Sequence, residues 1–345
     1  MSRLKENDFF DDKRPRKILG ILVLILFFAI FISLLLGRYG VPANETIRIL
    51  LGQIFPIKES WTANMAISVI NVRLPRVIMA CLVGSSLALA GTAYQSVFQN
   101  PMAAPDILGA SSGACFGAAL GILLGLSSAL IIVLAFGASL LSIILVYLVG
   151  TRTRGNQIVN ILLAGIMIGS LFSAATSFVK LVADPTNQLP AITYWLMGSL
   201  SGTRMANVKF VLVPMFLGSL PILVSRWKMN ILTLGEDEAR SLGVNISRLR
   251  LVVILGATFV TAASVSVSGM IGWVGLVIPH LSRKLVGNDN RYLVPTSMVF
   301  GAIFLLLVDD ISRNLLATEI PIGILTAFVG APFFLYLMAG KGGRP

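Results

Sequence analysis

The chain has 345 residues, of which 56% are hydrophobic and only 12% charged, and its mean hydropathy is +0.88. A soluble domain carries about 25% charged residues, so this composition excludes an ordinary soluble protein and indicates an integral membrane protein. The net charge of +12 then points to basic loops beside a membrane and not to nucleic acid. Cys81 and Cys115 lie in apolar runs without a metal or redox motif, so we expect small buried apolar side chains.

A polar N-terminal extension, residues 1–17, precedes apolar runs that we treat as a single all-α domain over residues 18–340. A helix needs about 20 apolar residues to cross a hydrocarbon core of about 30 Å. The first run has no small-residue cleavage site, which favours a span over a removable signal. The ten predicted spans are Ile18–Leu36, Arg73–Gln99, Ala104–Leu124, Leu126–Gly150, Ile158–Val182, Val208–Ser225, Leu249–Ser268, Gly272–Leu285, Tyr292–Val308 and Ile322–Ala339.

The distribution of basic residues predicts the orientation of these spans. About two thirds of the 27 Lys and Arg residues fall on the side of the membrane that holds the N-terminus. Cytoplasmic loops carry this excess of positive charge, so we expect both termini in the cytoplasm and the loop 37–62 outside.

A glycine stripe marks the third predicted span. Residues Gly109, Gly113, Gly117, Gly121 and Gly125 recur at every fourth position and so lie on one helix face. Such small faces let helices approach closely in lipid, which predicts a tightly packed bundle.

The loop after the sixth predicted span is unusually polar: Leu234–Gly243 reads LGEDEARSLG. Glu236, Asp237 and Glu238 fit the first turn of a short helix, where free N–H groups favour negative charge. Gly243 suits a left-handed cap at the end of that helix. A helix of about two turns is marginal alone in water, so the segment is either held by a partner or is a solvated loop between spans.

The sequence offers no metal-ligand set, nucleophile–base pair or phosphate-binding loop, so we predict neither catalysis nor a cofactor. His280, the only histidine, follows Pro279 and is expected to be a structural hydrogen-bond partner. Charged residues deep within spans would indicate ion coupling. The candidates fall near predicted span ends instead, which argues against an ion-coupled carrier: Lys180, Asp309, Asp310 and Glu319.

Three arginines lie on the outer side of the predicted topology. Arg73 and Arg76 stand at the mouth of the second span, and Arg313 lies between the ninth and tenth. Arginine near lipid can bind phosphate headgroups. It can equally bind carboxylates of an external docking protein, donating two hydrogen bonds to each in bidentate geometry.

Four long motifs stand in this order along the chain: RLPRVIMACLVGSSLALAGTAYQSVFQNPMAAPDILGASSGA, LGEDEARSLGV, GMIGWVGLVIPHLSRKLVGNDNR and EIPIGILTAFVGAPFF. Together they resemble the FecCD-type permeases, the membrane subunits of ABC importers for iron–siderophores, haem and cobalamin. The resemblance implies a type II ABC importer permease fold in a bacterial cytoplasmic membrane. It also implies three kinds of partner: two cytoplasmic ABC ATPase subunits, a second permease subunit (identical or homologous) and an extracytoplasmic solute-binding protein.

The same resemblance implies three functional regions. A coupling segment within residues 230–247 would dock on the ATPase through Leu234, Gly235, Glu236, Asp237, Glu238, Ala239, Arg240 and Gly243. Glutamates on the two lobes of the binding protein would pair with Arg73, Arg76 and Arg313. The gate would comprise Asn100, Pro101 and Met102, within Gln99–Asp106, and Ile158, Val159 and Asn160. At the second gate element this chain has bulkier apolar residues than the small polar ones of the family.

These features lead to a hypothesis of alternating access at a two-subunit interface, in which ATP binding draws the ATPases together and moves the fifth spans. Ferric siderophore is the favoured cargo because it is the commonest in the family, and haem and cobalamin are the alternatives. An ion-coupled secondary transporter would need no ATPase. A membrane-embedded enzyme would need convergent polar groups within the spans.

Overall fold

The computed structural model describes residues 13–154, 157–233, 239 and 241–341. Within these ranges the regular structure is all helical, as the composition predicts. In chain order the helices are α1 (Lys13–Leu35), α2 (Ala43–Gly52), α3 (Ala63–Val97), α4 (Ala110–Leu123), α5 (Ser128–Arg152), α6 (Gln157–Val182), α7 (Gln188–Leu196), α8 (Met205–Met229), α9 (Ile246–Ser268), α10 (Val274–Val286), α11 (Asn290–Asn314) and α12 (Ile322–Lys341).

Seven helices in the described part of the chain are long and apolar enough to cross a membrane: α1, α3, α5, α6, α8, α9 and α11. Of the other three predicted spans, α4 has 14 residues, α10 has 13 with Pro279 inside, and α12 has 20. The seven long helices therefore indicate multiple membrane crossings, whereas two of the ten predicted spans are short.

The structure corrects some predicted boundaries. Helix α3 begins at Ala63, well before the predicted start at Arg73, and the Thr62 hydroxyl caps it by accepting the N–H of Met65 at 3.4 Å. The chain then passes through a π-helical stretch, Ile67–Arg73, so Arg73 lies within the helix. The predicted outer loop contains α2, a short helix that a search for long apolar runs overlooks.

Helices α3 and α11 form the antiparallel centre of the bundle. Their most apolar stretches are 78% and 61% buried, against 17% for α1. A Cβ added at Gly84 would lie 2.3 Å from the carbonyl oxygen of Gly301, so only glycine permits this crossing. Three contacts along the pair establish its direction, those of Ser96 with Asn290, Gly84 with Gly301, and Arg76 with Asp309.

The glycine stripe of α4 packs against α5. A Cβ at Gly113 would lie 2.7 Å from the carbonyl oxygen of Ala138, and one at Gly117 would lie 2.4 Å from that of Leu134. Gly121 also faces α5, whereas Gly125 lies beyond the helix with open space around it. The close helix contact predicted from the glycine spacing is confirmed for the part of the stripe within α4.

The segment that joins α3 to α4 turns back into the bundle. Gln99 has a φ of +48°, in the left-handed region, which reverses the chain after α3. A 3₁₀ turn, Pro105–Leu108, follows. The Pro105 ring packs closely on Gly275: a Cβ added at Gly275 would lie 2.5 Å from the ring. The same Cβ would lie 2.8 Å from the carbonyl oxygen of Leu87 in α3. The turn therefore lies beside the last third of α3, at the level of Leu87.

Candidate functional sites at the two ends and in the side of the bundle

The helices bring the predicted site residues to two opposite ends of the bundle. We call one the Arg76 end, where α1 and α11 finish and the Ser33 hydroxyl donates to Asp310 at 2.7 Å. We call the other the Ser96 end, where α3 finishes and α11 begins.

At the Arg76 end, one guanidinium joins two carboxylates. Arg76 donates to Asp309 from Nε and Nη2 at 2.9–3.0 Å, and to Glu319 from Nη1 and Nη2 at 2.9 and 3.0 Å. The arginine and Asp309 are both buried. A buried charge is tolerated only when it is paired and hydrogen-bonded, and this arrangement meets both conditions.

Glu319 lies in the connection between α11 and α12. Burial acts to raise its pKa, but the hydrogen bonds and positive charge of Arg76 outweigh this effect and hold the pKa below its ordinary value. Glu319 is therefore ionised at neutral pH. Its contribution to stability is present at neutral pH and is lost as the pH falls through the lowered pKa.

The other two arginines satisfy the last carbonyl groups of α1, which have no partner within the helix. Arg73 donates to the carbonyl oxygens of Leu34 and Leu35, both at 2.9 Å. Arg313 donates to the carbonyl oxygens of Ser33 at 2.6 Å and Leu36 at 3.1 Å, and it also pairs with Asp310.

A fourth arginine, Arg38, makes the reciprocal contact from the end of α1 to the end of α11. Arg38, just beyond α1, donates to the carbonyl oxygens of Arg313, Leu316 and Ala317 at the end of α11. Helices α1 and α11 therefore close each other's C-terminal ends.

The three predicted docking arginines are buried: Arg73, Arg76 and Arg313 are 3%, 6% and 6% exposed. They border a cavity of about 530 Å³ that Arg38 and Glu319 also line. Their hydrogen bonds go to the chain's own carboxylates and carbonyl groups and to the Ser33 hydroxyl, which the sequence could not indicate. An incoming carboxylate would have to compete with Glu319, whose side chain is 24% exposed.

At the Ser96 end, the first predicted gate element forms a tight turn. The side-chain oxygen of Asn100 accepts the N–H of Met102 at 2.9 Å, and its carbonyl oxygen accepts the N–H of Ala103 at 3.0 Å. Pro101 and Met102 are exposed. The side-chain amide of Gln99 donates to the carbonyl oxygen of Leu232, which ties this turn to the 3₁₀ segment Asn230–Thr233.

The same 3₁₀ segment is also tied to the start of α11. Asn230 donates to Asp289 at 2.7 Å and accepts the N–H of Asn290 at 2.8 Å, while the Ser96 hydroxyl donates to Asn290 at 3.0 Å. Burial acts to raise the pKa of Asp289, but hydrogen bonds from Arg291 and Asn230 hold it below its ordinary value. The ends of α3 and α8 and the start of α11 therefore share one polar network.

The predicted coupling segment lies partly outside the described residues, which include only Ala239 and Gly243 of its eight predicted contacts. Leu234, Gly235, Glu236, Asp237, Glu238 and Arg240 lie outside. Ala239 is fully buried in the core, and its carbonyl oxygen accepts the N–H of Val244 at 3.0 Å. Gly243 has a φ of +73°, the left-handed conformation that the sequence predicts.

The second predicted gate element begins α6. The side chain of Ile158 lies outside the described part, Val159 is exposed, and Asn160 donates to the carbonyl oxygen of Thr153 at 2.9 Å. The next residue, Ile161, lines a small apolar cavity together with Phe98 and Leu108. The first turn of α6 thus packs against the segment that includes the first gate element.

A larger cavity, which we call the membrane-level cavity, opens on the side of the bundle with a volume of about 830 Å³. Its walls are mainly apolar and come from α7, the α9–α10 connection and α12. One acid, Asp106, lines it; the sequence places this residue at the end of the gate region Gln99–Asp106 and gives no sign that it faces a cavity. The lining residues are Asp106, Leu196, Met197, Met270, Gly272, Trp273, Gly323, Ile324, Ala327, Phe328, Ala331 and Pro332.

Comparison with known proteins identifies the family. The model of the FecCD transport family matches residues 24–340, which is most of the chain. The chain belongs to the FecCD transport family. It is an ABC importer permease of that family, a transport component whose ATP hydrolysis resides in separate subunits. The resemblance found in the sequence motifs is thereby confirmed.

Curated relatives match this permease over most of their length. The molybdate import system permease protein MolB of Haemophilus influenzae is 38% identical over 325 residues, covering 94% of this chain and 95% of the relative. The cobalamin import system permease protein BtuC of Halobacterium salinarum is 39% identical, covering 88% and 76%. The hemin transport system permease protein HmuU of Yersinia pestis is 36% identical, covering 94% and 96%. The names of these relatives differ in cargo, so membership of the family leaves the cargo open.

A solved structure has the same fold. A metal-chelate type ABC transporter in an inward-facing conformation superposes with a TM-score of 0.83 and 38% identity, covering 94% of this permease and 99% of that chain. In the described part of this permease, no group of at least 3 His, Cys, Asp or Glu side chains is placed to hold a metal ion.

Proposed function

We propose that this permease is one of two membrane subunits of an ATP-driven importer for ferric-siderophore complexes, with the translocation pathway at the interface between the subunits. In this proposal ten segments cross the bacterial cytoplasmic membrane, and both termini lie in the cytoplasm. Two ABC ATPases bind at the Ser96 end, and a solute-binding protein delivers cargo at the Arg76 end.

One observation supports the proposed coupling: the hydrogen bond from Gln99 to the carbonyl oxygen of Leu232. Leu232 lies two residues before the LGEDEARSLGV segment, and Gln99 immediately precedes the gate residues Asn100–Met102. A displacement of the coupling segment by the ATPases would therefore pull directly on the turn that borders the pathway. ATP binding would open or close the inner gate through this link.

Charge reversal in the coupling segment tests the proposal. In the importer reconstituted with its ATPase and binding protein, Glu238→Lys is expected to abolish most ATP-driven uptake. The reason is that a positive side chain would replace the negative one in the proposed contact with the ATPase. Glu59→Lys, the same change in the exposed loop at the other end of the bundle, is the control and should retain uptake. Wild-type uptake per ATP hydrolysed in Glu238→Lys would overturn the coupling assignment.

The preference for a bulky chelate is supported by the size and walls of the membrane-level cavity. A volume of about 830 Å³ with mainly apolar lining suits a large chelate better than a small, strongly hydrated oxyanion. Relatives named for Fe(3+)-citrate in Bacillus subtilis and for iron chelatin in Helicobacter pylori are 36% and 38% identical to this permease. Haem and cobalamin remain alternatives of similar bulk.

Co-purification with the binding protein tests the cargo. A ferric hydroxamate bound by that protein, and taken up by the importer only in the presence of ATP, would support the siderophore assignment. Binding of haem, cobalamin or molybdate in its place would replace that assignment and leave the permease function unchanged.

We also propose that the Arg76 end receives the binding protein. Glu319 is the most exposed carboxylate of the arginine cluster, so a carboxylate of the incoming protein would exchange with it on Arg76. This exchange would loosen the connection between α11 and α12 when cargo arrives. Glu319→Gln should accordingly strengthen docking, as measured by the affinity of the binding protein for the reconstituted permease.

A further inference from the structure

The membrane-level cavity has one acid in an otherwise uncharged lining. Among the described residues that border it, Asp106 alone has a charged side chain. Its surface is exposed to the cavity, although the residues on either side, Pro105 and Ile107, pack into the bundle. A carboxylate that could have turned towards solvent at a span end is instead held in the wall of an apolar space.

The depth of this acid follows from its neighbours. The stretch of α3 between Arg76 and Ser96 is about 30 Å long at 1.5 Å per residue, close to the thickness of the hydrocarbon core. The turn that carries Asp106 packs through Pro105 on Gly275, which contacts α3 between Leu87 and Gly91. Asp106 thus lies within the depth of the membrane, on the Ser96 side of its middle, where an ionisable residue is a candidate functional site.

A purely structural role explains only part of this arrangement. The Ser111 hydroxyl donates to Oδ1 of Asp106, which ties the turn to the first turn of α4. No Lys or Arg forms an ion pair with Asp106 within the part of the chain that the structure describes. When the carboxyl group is ionised, its charge is therefore balanced by one hydroxyl and by whatever enters the cavity.

We propose that Asp106 selects cargo by charge, attracting positively charged metal chelates into the membrane-level cavity and disfavouring anionic ones. This inference rests on the proposed pathway and narrows its cargo to chelates that carry a protonated amine or another cationic group. A single fixed charge in a low-dielectric cleft concentrates ions of opposite sign, and the apolar walls offer no competing site.

Charged thiol reagents measure this field without knowledge of the cargo. We would introduce a thiol into the cavity wall with Ala327→Cys, in the assembled importer and with Cys81→Ala and Cys115→Ala. The rates of modification by a trimethylammonium and by a sulfonate methanethiosulfonate of similar size would then be compared. Gly40→Cys, in an exposed loop with nothing within 4 Å of its Cβ, is the control position.

The cation-to-anion rate ratio at position 327 is expected to exceed that at position 40 by about 10-fold. Asp106→Asn should bring the two ratios together, whereas Asp106→Glu and Ser111→Ala should preserve the difference. Equal ratios at the two positions in the chain with Asp106 intact, or failure of both reagents to reach position 327, would overturn the proposal. Neither of these outcomes depends on how well the Asp106→Asn variant folds.

Uptake of a matched pair of chelates separates this inference from the proposed function. The probes are a ferric trihydroxamate with a free amine and the same chelate with that amine acetylated. Asp106→Asn should lower uptake of the amine form by about 10-fold relative to the acetylated form. If the unaltered importer transports neither probe, the siderophore assignment fails and the thiol result still decides the role of Asp106. Equal loss of both probes in the variant would overturn charge selection.

Discussion

At the scale of single residues, the Arg76 end shows how charge is accommodated inside an apolar bundle. Asp309 is fully buried on α11, and its partner Arg76 lies on α3, far away in sequence. Removing one member of a buried pair costs more than the pair contributes, because the remaining charge stays desolvated. We therefore expect these residues to stabilise the fold, whether or not they also take part in docking.

Asp309→Asn is expected to destabilise the detergent-purified permease by about 3 kcal/mol or more, because Arg76 would keep only Glu319 as a charged partner. Thermal unfolding measures the effect. Arg48→Ala is the matched control, since Arg48 is 51% exposed on its side chain and 3.9 Å from Glu45, and a surface pair contributes about 0–1 kcal/mol. Equal shifts of the melting temperature in the two variants would contradict this account.

At the scale of helices, the contact between α4 and α5 depends on the absence of side chains. A Cβ at Gly117 would lie 2.4 Å from the carbonyl oxygen of Leu134, and neither backbone can move without separating the helices. Gly137, on α5, has nothing within 4 Å of the same position. The two glycines therefore offer the same substitution in opposite environments.

Gly117→Ala should lower stability by about 1–3 kcal/mol through overpacking. Gly137→Ala should be neutral or stabilising by up to about 1 kcal/mol, because alanine is the better helix former. Thermal unfolding of both variants under identical conditions checks the difference. A Gly117→Ala protein as stable as the unaltered one would show that the α4–α5 contact is looser than described.

Helices are also the scale at which the sequence was most informative. The apolar runs predict the seven long helices, and the glycine spacing predicts the α4–α5 contact. The predicted span Ala104–Leu124 includes Pro105, but the 3₁₀ turn that precedes α4 was not predictable, because so short an apolar stretch has no distinctive periodicity. The pairing of Arg76 with Asp309 was hidden for a different reason: nothing local to either residue indicates a partner so distant in sequence.

At the scale of the whole molecule, the described helices divide into a buried centre and an accessible periphery. Helices α3, α9 and α11 are mostly enclosed, whereas only 33% of the most apolar part of α6 is buried. The centre therefore suits a fixed frame that connects the two ends, while α6 lies at the accessible periphery. The Gln99–Leu232 hydrogen bond joins the frame to the segment that precedes the proposed coupling region.

Gln99→Gly is expected to reduce uptake per ATP hydrolysed several-fold while ATP hydrolysis continues. Glycine accepts the φ of +48° without strain, so the turn keeps its shape and loses only the side-chain link. Uptake and phosphate release in the reconstituted importer give the ratio. Gly40→Ala, in an open loop at the other end, should leave it unchanged. A ratio equal to that of the unaltered importer would argue that coupling runs through other contacts.

The mutual closure of α1 and α11 has a consequence for how the protein is made. Ser33 bonds to Asp310 and Arg313, and Arg38 bonds to Arg313, so α1 and α11 can close each other only after nearly the whole chain has been synthesised. Until then α1 must wait in the bilayer, which its largely exposed apolar surface allows. A nascent chain halted before residue 309 would lack these contacts, and the end of its first helix would be held by Arg73 without Asp310 and Arg313.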